Sequence, residues 1–265
     1  MKTPFIPAIV KALTFSICLL CIAPSEAQEV PKKDSKLNLY ILIGQSNMAG
    51  RGVITSEYQE MHDERVLMFN AENKWVEARH PLHFDKPKVA GVGPGLSFGL
   101  EMAKANPEVK IGLIPCAVGG TPIEAWQPGA QDKATKKFPY DEALLRIKEA
   151  MKYGVVKGVV WHQGEGNSSE KGSETYLAQL SELIKRVRKE TKNKKLPFVV
   201  GELGRYRDNY AFINDKIKDL PGMVKYTAVA SSEGLVHKGD GTHLDSPSAT
   251  LLGKRMAEKM IALQK

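Results

Sequence analysis

The chain has 265 residues, 42% of them hydrophobic and 26% charged, and carries a formal net charge of +8. That is ample for one domain with a large core. The positive charge gathers at residues 133–137 and 185–195 without interleaved aromatic side chains, the pattern of a solvated face and not of a nucleic-acid platform.

The chain starts with a targeting pattern. Lys2 and Lys11 bracket a basic start, Ala12 to Ala23 is almost wholly apolar, and Ser25-Glu26-Ala27 offers small residues before Gln28. A secretory signal peptide over residues 1–27 is expected, followed by a single domain over 28–265 and a periplasmic or extracellular location. The apolar run is shorter than the roughly 20 residues that cross a bilayer, so no membrane span is expected. Cleavage would remove Cys18 and Cys21 and leave Cys116 with no internal partner, so the fold must rest on its core and not on disulfides.

Apolar strand-like runs then alternate with amphipathic patterns. Strands are predicted at Leu37–Ile43, Arg65–Phe69, Lys110–Cys116, Lys157–His162, Leu196–Glu202 and Val224–Ala230. Helices are predicted at Leu96–Ala105, Asp141–Lys152, Thr175–Glu190, Asn209–Leu220 and Pro247–Leu263, the last with Ser246 as N-cap and Pro247 in its first turn. Most of the strands are short and continuously apolar, as in a parallel sheet covered on both faces. The class is therefore α/β, with a mainly parallel sheet between helix layers and ligands beyond the C-terminal strand ends.

Three polar stretches follow three of these strands. Ser46 comes after the first, Trp161-His162-Gln163-Gly164-Glu165 closes a central one, and Asp240-Gly241-Thr242-His243 follows the last. A serine hydroxyl needs a base to attack an acyl carbon near neutral pH, and His243 can supply it. Asp240, three residues earlier, can hold the imidazole in the right tautomer. Donors for a developing oxyanion are available from the Ser46 backbone, from Gly119 or Gly120, and from the Gln163 amide. Glu165 is a second acid. It could share or replace the role of Asp240, bind a sugar hydroxyl, or brace its own loop. Gln45 and Asn47 flank the serine as possible substrate contacts. Trp126, in the long connection Thr121 to Tyr140, could stack on a sugar ring or plug the core. Gly91-Val92-Gly93-Pro94-Gly95 lacks the ending of a phosphate-binding loop and reads as a helix-starting turn or a site wall. A metal set of His162, Glu165 and His243 is conceivable, but the serine explains the same residues, so no metal and no cofactor are expected.

The strings Gly44-Gln45-Ser46-Asn47-Met48-Ala49-Gly50, Cys116-Ala117-Val118-Gly119-Gly120-Thr121, Trp161-His162-Gln163-Gly164-Glu165 and Asp240-x-x-His243 resemble the sialate O-acetylesterase / acetylxylan esterase branch of the SGNH hydrolases, the sixth carbohydrate esterase family. The resemblance spans nearly all of residues 28–265. It implies a flavodoxin-like three-layer α/β/α sandwich, a serine acyl-enzyme mechanism without metal, and acetylated carbohydrate as the substrate. Carried onto this sequence, it makes Ser46 the nucleophile, His243 the base and Asp240 its orienting acid. Gln45 stands where the wider superfamily has an acid. Gln163-Gly164-Glu165 stands where an asparagine donor is usual, which leaves Gln163, with Gly120, as the expected oxyanion partners. Two rivals are a lipid or thioester acyl hydrolase, which would want an apolar cleft in place of Gln45, Asn47, Gln163 and Glu165, and a non-catalytic sugar-binding protein, which need not keep both Ser46 and His243.

Overall fold

Strand β1, Leu37–Gly44, is buried along nearly all of its length, and its side chains alternate between two cores. Leu37, Leu39, Ile41 and Ile43 face one; Tyr40 and Leu42 face the other. A strand apolar on both faces needs cover on both. The computed structural model describes Met1 and residues 33–265, so the expected signal peptide beyond Met1 and its cleavage point lie outside the described residues.

The remaining strands are β2 (Val66–Phe69), β3 (Trp75–Glu77), β4 (Lys110–Pro115), β5 (Val155–His162), β6 (Phe198–Gly201) and β7 (Thr227–Ala230). Among the described residues they form one sheet in the order β3-β2-β4-β1-β5-β6-β7. All neighbours are parallel except the β2–β3 hairpin at one edge. The principal helices are α1 (Ser46–Ala49), α2 (Pro94–Ala105), α3 (Pro139–Ala150), α4 (Tyr176–Glu190), α5 (Ala211–Ile217) and α6 (Ser246–Gln264). Helices α3 and α4 close the first core through Ile147, Leu180, Leu183 and Ile184. Helices α2 and α6 close the second through Leu96, Phe98, Met102, Leu252 and Met256. The result is the expected three-layer α/β/α sandwich. Among the described residues no helix is long and apolar enough to cross a membrane.

Three of the departures from the predicted elements have a direct physical cause. Strand β3 was not expected: it is three half-exposed residues at a sheet edge, too short to show a period. The last strand begins at Thr227 and not Val224, because Leu220–Met223 forms a helical turn and Tyr226 takes a left-handed φ of 60°. The N-cap of α6 is Asp245 and not Ser246. The Asp245 carboxylate accepts the Ser248 N–H at 2.8 Å, the cap-to-third-residue geometry, whereas the Ser246 hydroxyl donates to the Val53 carbonyl at 2.6 Å.

Strands β4, β1 and β5 are adjacent in the middle of the sheet, so the loops leaving them meet at one edge. Gly44 sets how closely. Its φ is +133°, and a Cβ there would fall 2.1 Å from the His162 carbonyl oxygen. A side chain at this position would push apart the two strand ends that carry Ser46 and Gln163.

Candidate active site

The chain leaves β1 through Gly44 and is held at once, because the Gln45 N–H donates to the His162 carbonyl at 3.0 Å. Ser46 is the first residue of the short buried helix α1. Its Oγ lies 3.1 Å from His243 Nε2, and His243 Nδ1 lies 2.7 Å from Asp240 Oδ2. A carboxylate can only accept, so Nδ1 carries the proton and Nε2 presents its lone pair to Ser46. This is the tautomer a base needs.

The second carboxylate oxygen of Asp240 accepts the backbone N–H groups of Thr242 (2.9 Å) and His243 (2.8 Å). Burial pushes the Asp240 carboxyl up. The His243 N–H, the imidazole and the Thr242 N–H together outweigh it and hold the group well below the usual carboxylate range. The stability this depressed group contributes is fully present above its unfolded value of about 3.9 and is lost only as pH falls through the lower folded value. Asp240 therefore stays an anion through the pH range of ester hydrolysis. The acid limb of the pH–rate profile is expected to have a slope of one; a limb of slope two above about pH 4 would mean that Asp240 titrates there as well.

The loop after β4 lies against the serine. A Cβ on Gly119 would come within 3.4 Å of Ser46 Cβ. The Gly119 N–H is spent on Asp85 Oδ2 at 2.8 Å, and the same oxygen takes the Arg51 guanidinium at 2.7 Å. That ion pair is buried, with side-chain exposures of 4% and 3%, and anchors the loop from behind. Gly120 is exposed at φ +88°. Among the described residues neither its N–H nor that of Ser46 makes a hydrogen bond. Two backbone donors are thus open beside a serine hydroxyl that already faces a histidine base.

The family described as "Carbohydrate esterase, sialic acid-specific acetylesterase" matches residues 36–262. The chain belongs to this esterase family. It is 30% identical to a probable carbohydrate esterase of Arabidopsis thaliana, over 91% of this chain and 97% of that one. The solved structure of that plant protein superposes with a TM-score of 0.76 at 29% identity, covering 85% of this chain and 98% of the other. The human sialate O-acetylesterase is 39% identical over 43% of this chain, which is only 26% of the human protein. The structure of NanS shares the fold at a TM-score of 0.67 and 14% identity, over 88% of this chain and 98% of that one. The protein is a carboxylic ester hydrolase of the SGNH hydrolase type.

Within this esterase, several expected site residues have other tasks. Gln163 is fully buried. Its Nε2 donates to Asn167 Oδ1 at 3.0 Å and to the Thr121 carbonyl at 3.3 Å. The amide cannot be turned around, because Asn167 Oδ1 also accepts the Ile123 N–H. Both hydrogens of Gln163 are therefore taken, and it braces the Gly120–Thr121 loop instead of facing an oxyanion. Asn47 is likewise no substrate contact. Its Nδ2 donates to Glu165 Oε1 (2.7 Å) and the Thr242 carbonyl (3.1 Å), and its Oδ1 accepts the Leu244 N–H (2.9 Å). It ties α1 to the loop that carries His243.

Glu165 bonds Asn47 and not His243, so it does not orient the imidazole and instead ties its loop to α1. Trp126 is 1% exposed, stands edge-on to Trp161 at 5.3 Å and donates to Thr121 Oγ1 at 3.1 Å, so it plugs the core and offers no ring to a sugar. Gln45 is different: it is 4% exposed, and among the described residues its side-chain amide makes no hydrogen bond, so the structure gives that amide no other task. The segment Gly91–Gly95 is a helix start whose Gly91 N–H donates to the Gly50 carbonyl at 3.1 Å. No three His, Cys, Asp or Glu among the described residues are grouped to hold a metal. His162 is turned to the Glu202 carbonyl at 3.1 Å, and burial pushes its pKa down.

Sequence reasoning missed Arg51 and Asp85. Arg51 lies just past the Gly44–Gly50 string and could have been suspected as a buried cation needing a partner. Asp85 sits in an irregular loop with no local motif, so nothing in the sequence pointed to it.

Proposed function

We propose that this esterase removes O-acetyl groups from carbohydrate through an acetyl-enzyme on Ser46. The observation that carries the reading is the unbroken chain Ser46 Oγ–His243 Nε2, His243 Nδ1–Asp240 Oδ2, at 3.1 and 2.7 Å. His243 takes the hydroxyl proton as Ser46 Oγ attacks the acetyl carbonyl carbon. The oxyanion is met by the N–H groups of Ser46 and Gly120. As the tetrahedral species collapses, the C–O bond to the sugar breaks and His243 returns the proton to the departing sugar oxygen. A water, deprotonated by the same imidazole, attacks the acetyl carbonyl, and acetate leaves as Ser46 recovers its proton. Asp240 stays ionised throughout and stabilises the imidazolium.

Acetylated sugars as substrates are supported by the names of the family and of the relatives in plants and humans. Export rests on the basic and apolar pattern of residues 1–27. The substrate is tested by acetate release from acetylated xylan and from O-acetylated sialic acid, with Ser46→Ala as control. Release from one of them that disappears in the variant is the expected result and names the sugar class. No release from either, or release that survives Ser46→Ala, would refute the reading.

A further inference from the structure

Asp240 and His243 are carried by an exposed turn, Lys238 to His243, with a glycine on each side of the acid. Gly239 and Gly241 hold φ angles of 109° and 68°. Glycines are permissive at such angles, so their own backbone preferences do not fix the turn. From within, the Asp240 carboxylate accepts the Thr242 and His243 N–H groups and the Lys238 N–H donates to the His243 carbonyl at 2.8 Å, but these bonds leave the N–H groups of the two glycines to a group outside the turn.

That group is the ring of His237. Its Nδ1 lies 2.9 Å from the Gly239 N and 3.0 Å from the Gly241 N. Two N–H donors converge on one nitrogen, which must therefore be unprotonated. The two donors bracket Asp240 on both sides. The ring is itself held in place. It stands edge-on to Tyr206, with centroids 5.1 Å apart, and the Tyr206 hydroxyl donates to the Thr242 carbonyl at 2.9 Å. The backbone of His237 also bridges Leu244, across the base of the turn. The ring, the acid and the base thus belong to one small assembly in which, among the described residues, the His237 side chain alone hydrogen-bonds both glycines.

We infer that His237 is a positioning residue whose Nδ1 acceptor shapes the Gly239–Gly241 turn and so aims Asp240 at His243. The inference rests on the serine esterase reading above. It does not place His237 in contact with substrate; the residue acts through Asp240. Misplacing a catalytic group by about 1 Å can cost on the order of 100-fold in rate, so the geometry of this turn has leverage out of proportion to its size.

Two substitutions separate the acceptor from the ring. His237→Phe keeps a ring against Tyr206 and removes the acceptor. His237→Asn removes the ring and puts an amide oxygen near the Nδ1 position. For positioning, His237→Phe is expected to lower kcat by roughly 10- to 100-fold with KM unchanged, and His237→Asn to recover most of that loss. If the residue were only packing, the order would reverse, with phenylalanine retained and asparagine impaired. That order, or equal losses in both, overturns the inference. A second measurement needs no variant and no activity: the ring ¹⁵N spectrum of the wild-type protein. An unprotonated Nδ1 on His237 is expected, and a protonated one overturns the proposal even if either variant fails to fold. The spectrum also separates this inference from the esterase reading, since absence of acetate release would leave it unchanged.

Discussion

Ser46→Ala is expected to lower the rate of acetate release by on the order of 10⁴- to 10⁶-fold, and His243→Ala to match it. The two residues act as a unit, so the double variant should lose little more than either single one. Without Oγ there is no atom to carry the acetyl group; without the imidazole, the hydroxyl keeps its proton. The serine change deletes a single oxygen from a short helix whose other residues stay packed, so thermal unfolding should be nearly unmoved. Turnover measured on an acetylated sugar, with a melting curve for each variant, checks both statements. Losses that add in the double variant would mean that Ser46 and His243 are not one catalytic unit.

The second large effect separates two acids. Asp240→Asn is expected to cost about 10⁴-fold in kcat. An asparagine can turn its amide NH2 toward Nδ1, favouring the tautomer in which Nε2 carries the proton and cannot accept the one on Ser46. Glu165→Gln is expected to cost less than about 10-fold, because the glutamine oxygen can still accept the Asn47 amide. The comparison is made on kcat at a pH where Asp240 is ionised, with folded fraction measured for both variants. A larger loss for Glu165→Gln would transfer the orienting role to that residue.

Those two acids also show what the sequence could and could not convey. Each follows a strand, and each lies close to a histidine or serine in the chain or in space. The order of apolar runs was enough to bring both to one edge of a parallel sheet. Which acid meets the imidazole depends on side-chain direction, and no periodicity carries that. Gln163 departs from its expected role for the same reason, and the two readings of Trp126, sugar platform or core plug, could not be separated. Proximity to the strand ends was legible, but Gln163 turns inward to Asn167, and Trp126 turns inward to Trp161.

The glycines Gly119 and Gly120 look alike in sequence. They are told apart by Asp85, which consumes one N–H and leaves the other free. The covered strands and the longer helices were legible because each one repeats a pattern over several residues. The edge strand β3, with three residues, repeats nothing, and the cap of α6 moved by one position because Asp245 and Ser246 can both cap a helix.

The most direct test of the central claim is rapid-quench mass spectrometry of the enzyme during turnover of an acetylated sugar. An acetyl increment confined to the peptide that contains Ser46, appearing before acetate in solution and missing in Ser46→Ala, is the expected result. Steady acetate release with no acetylated peptide at any quench time, or with the increment on another residue, would contradict it.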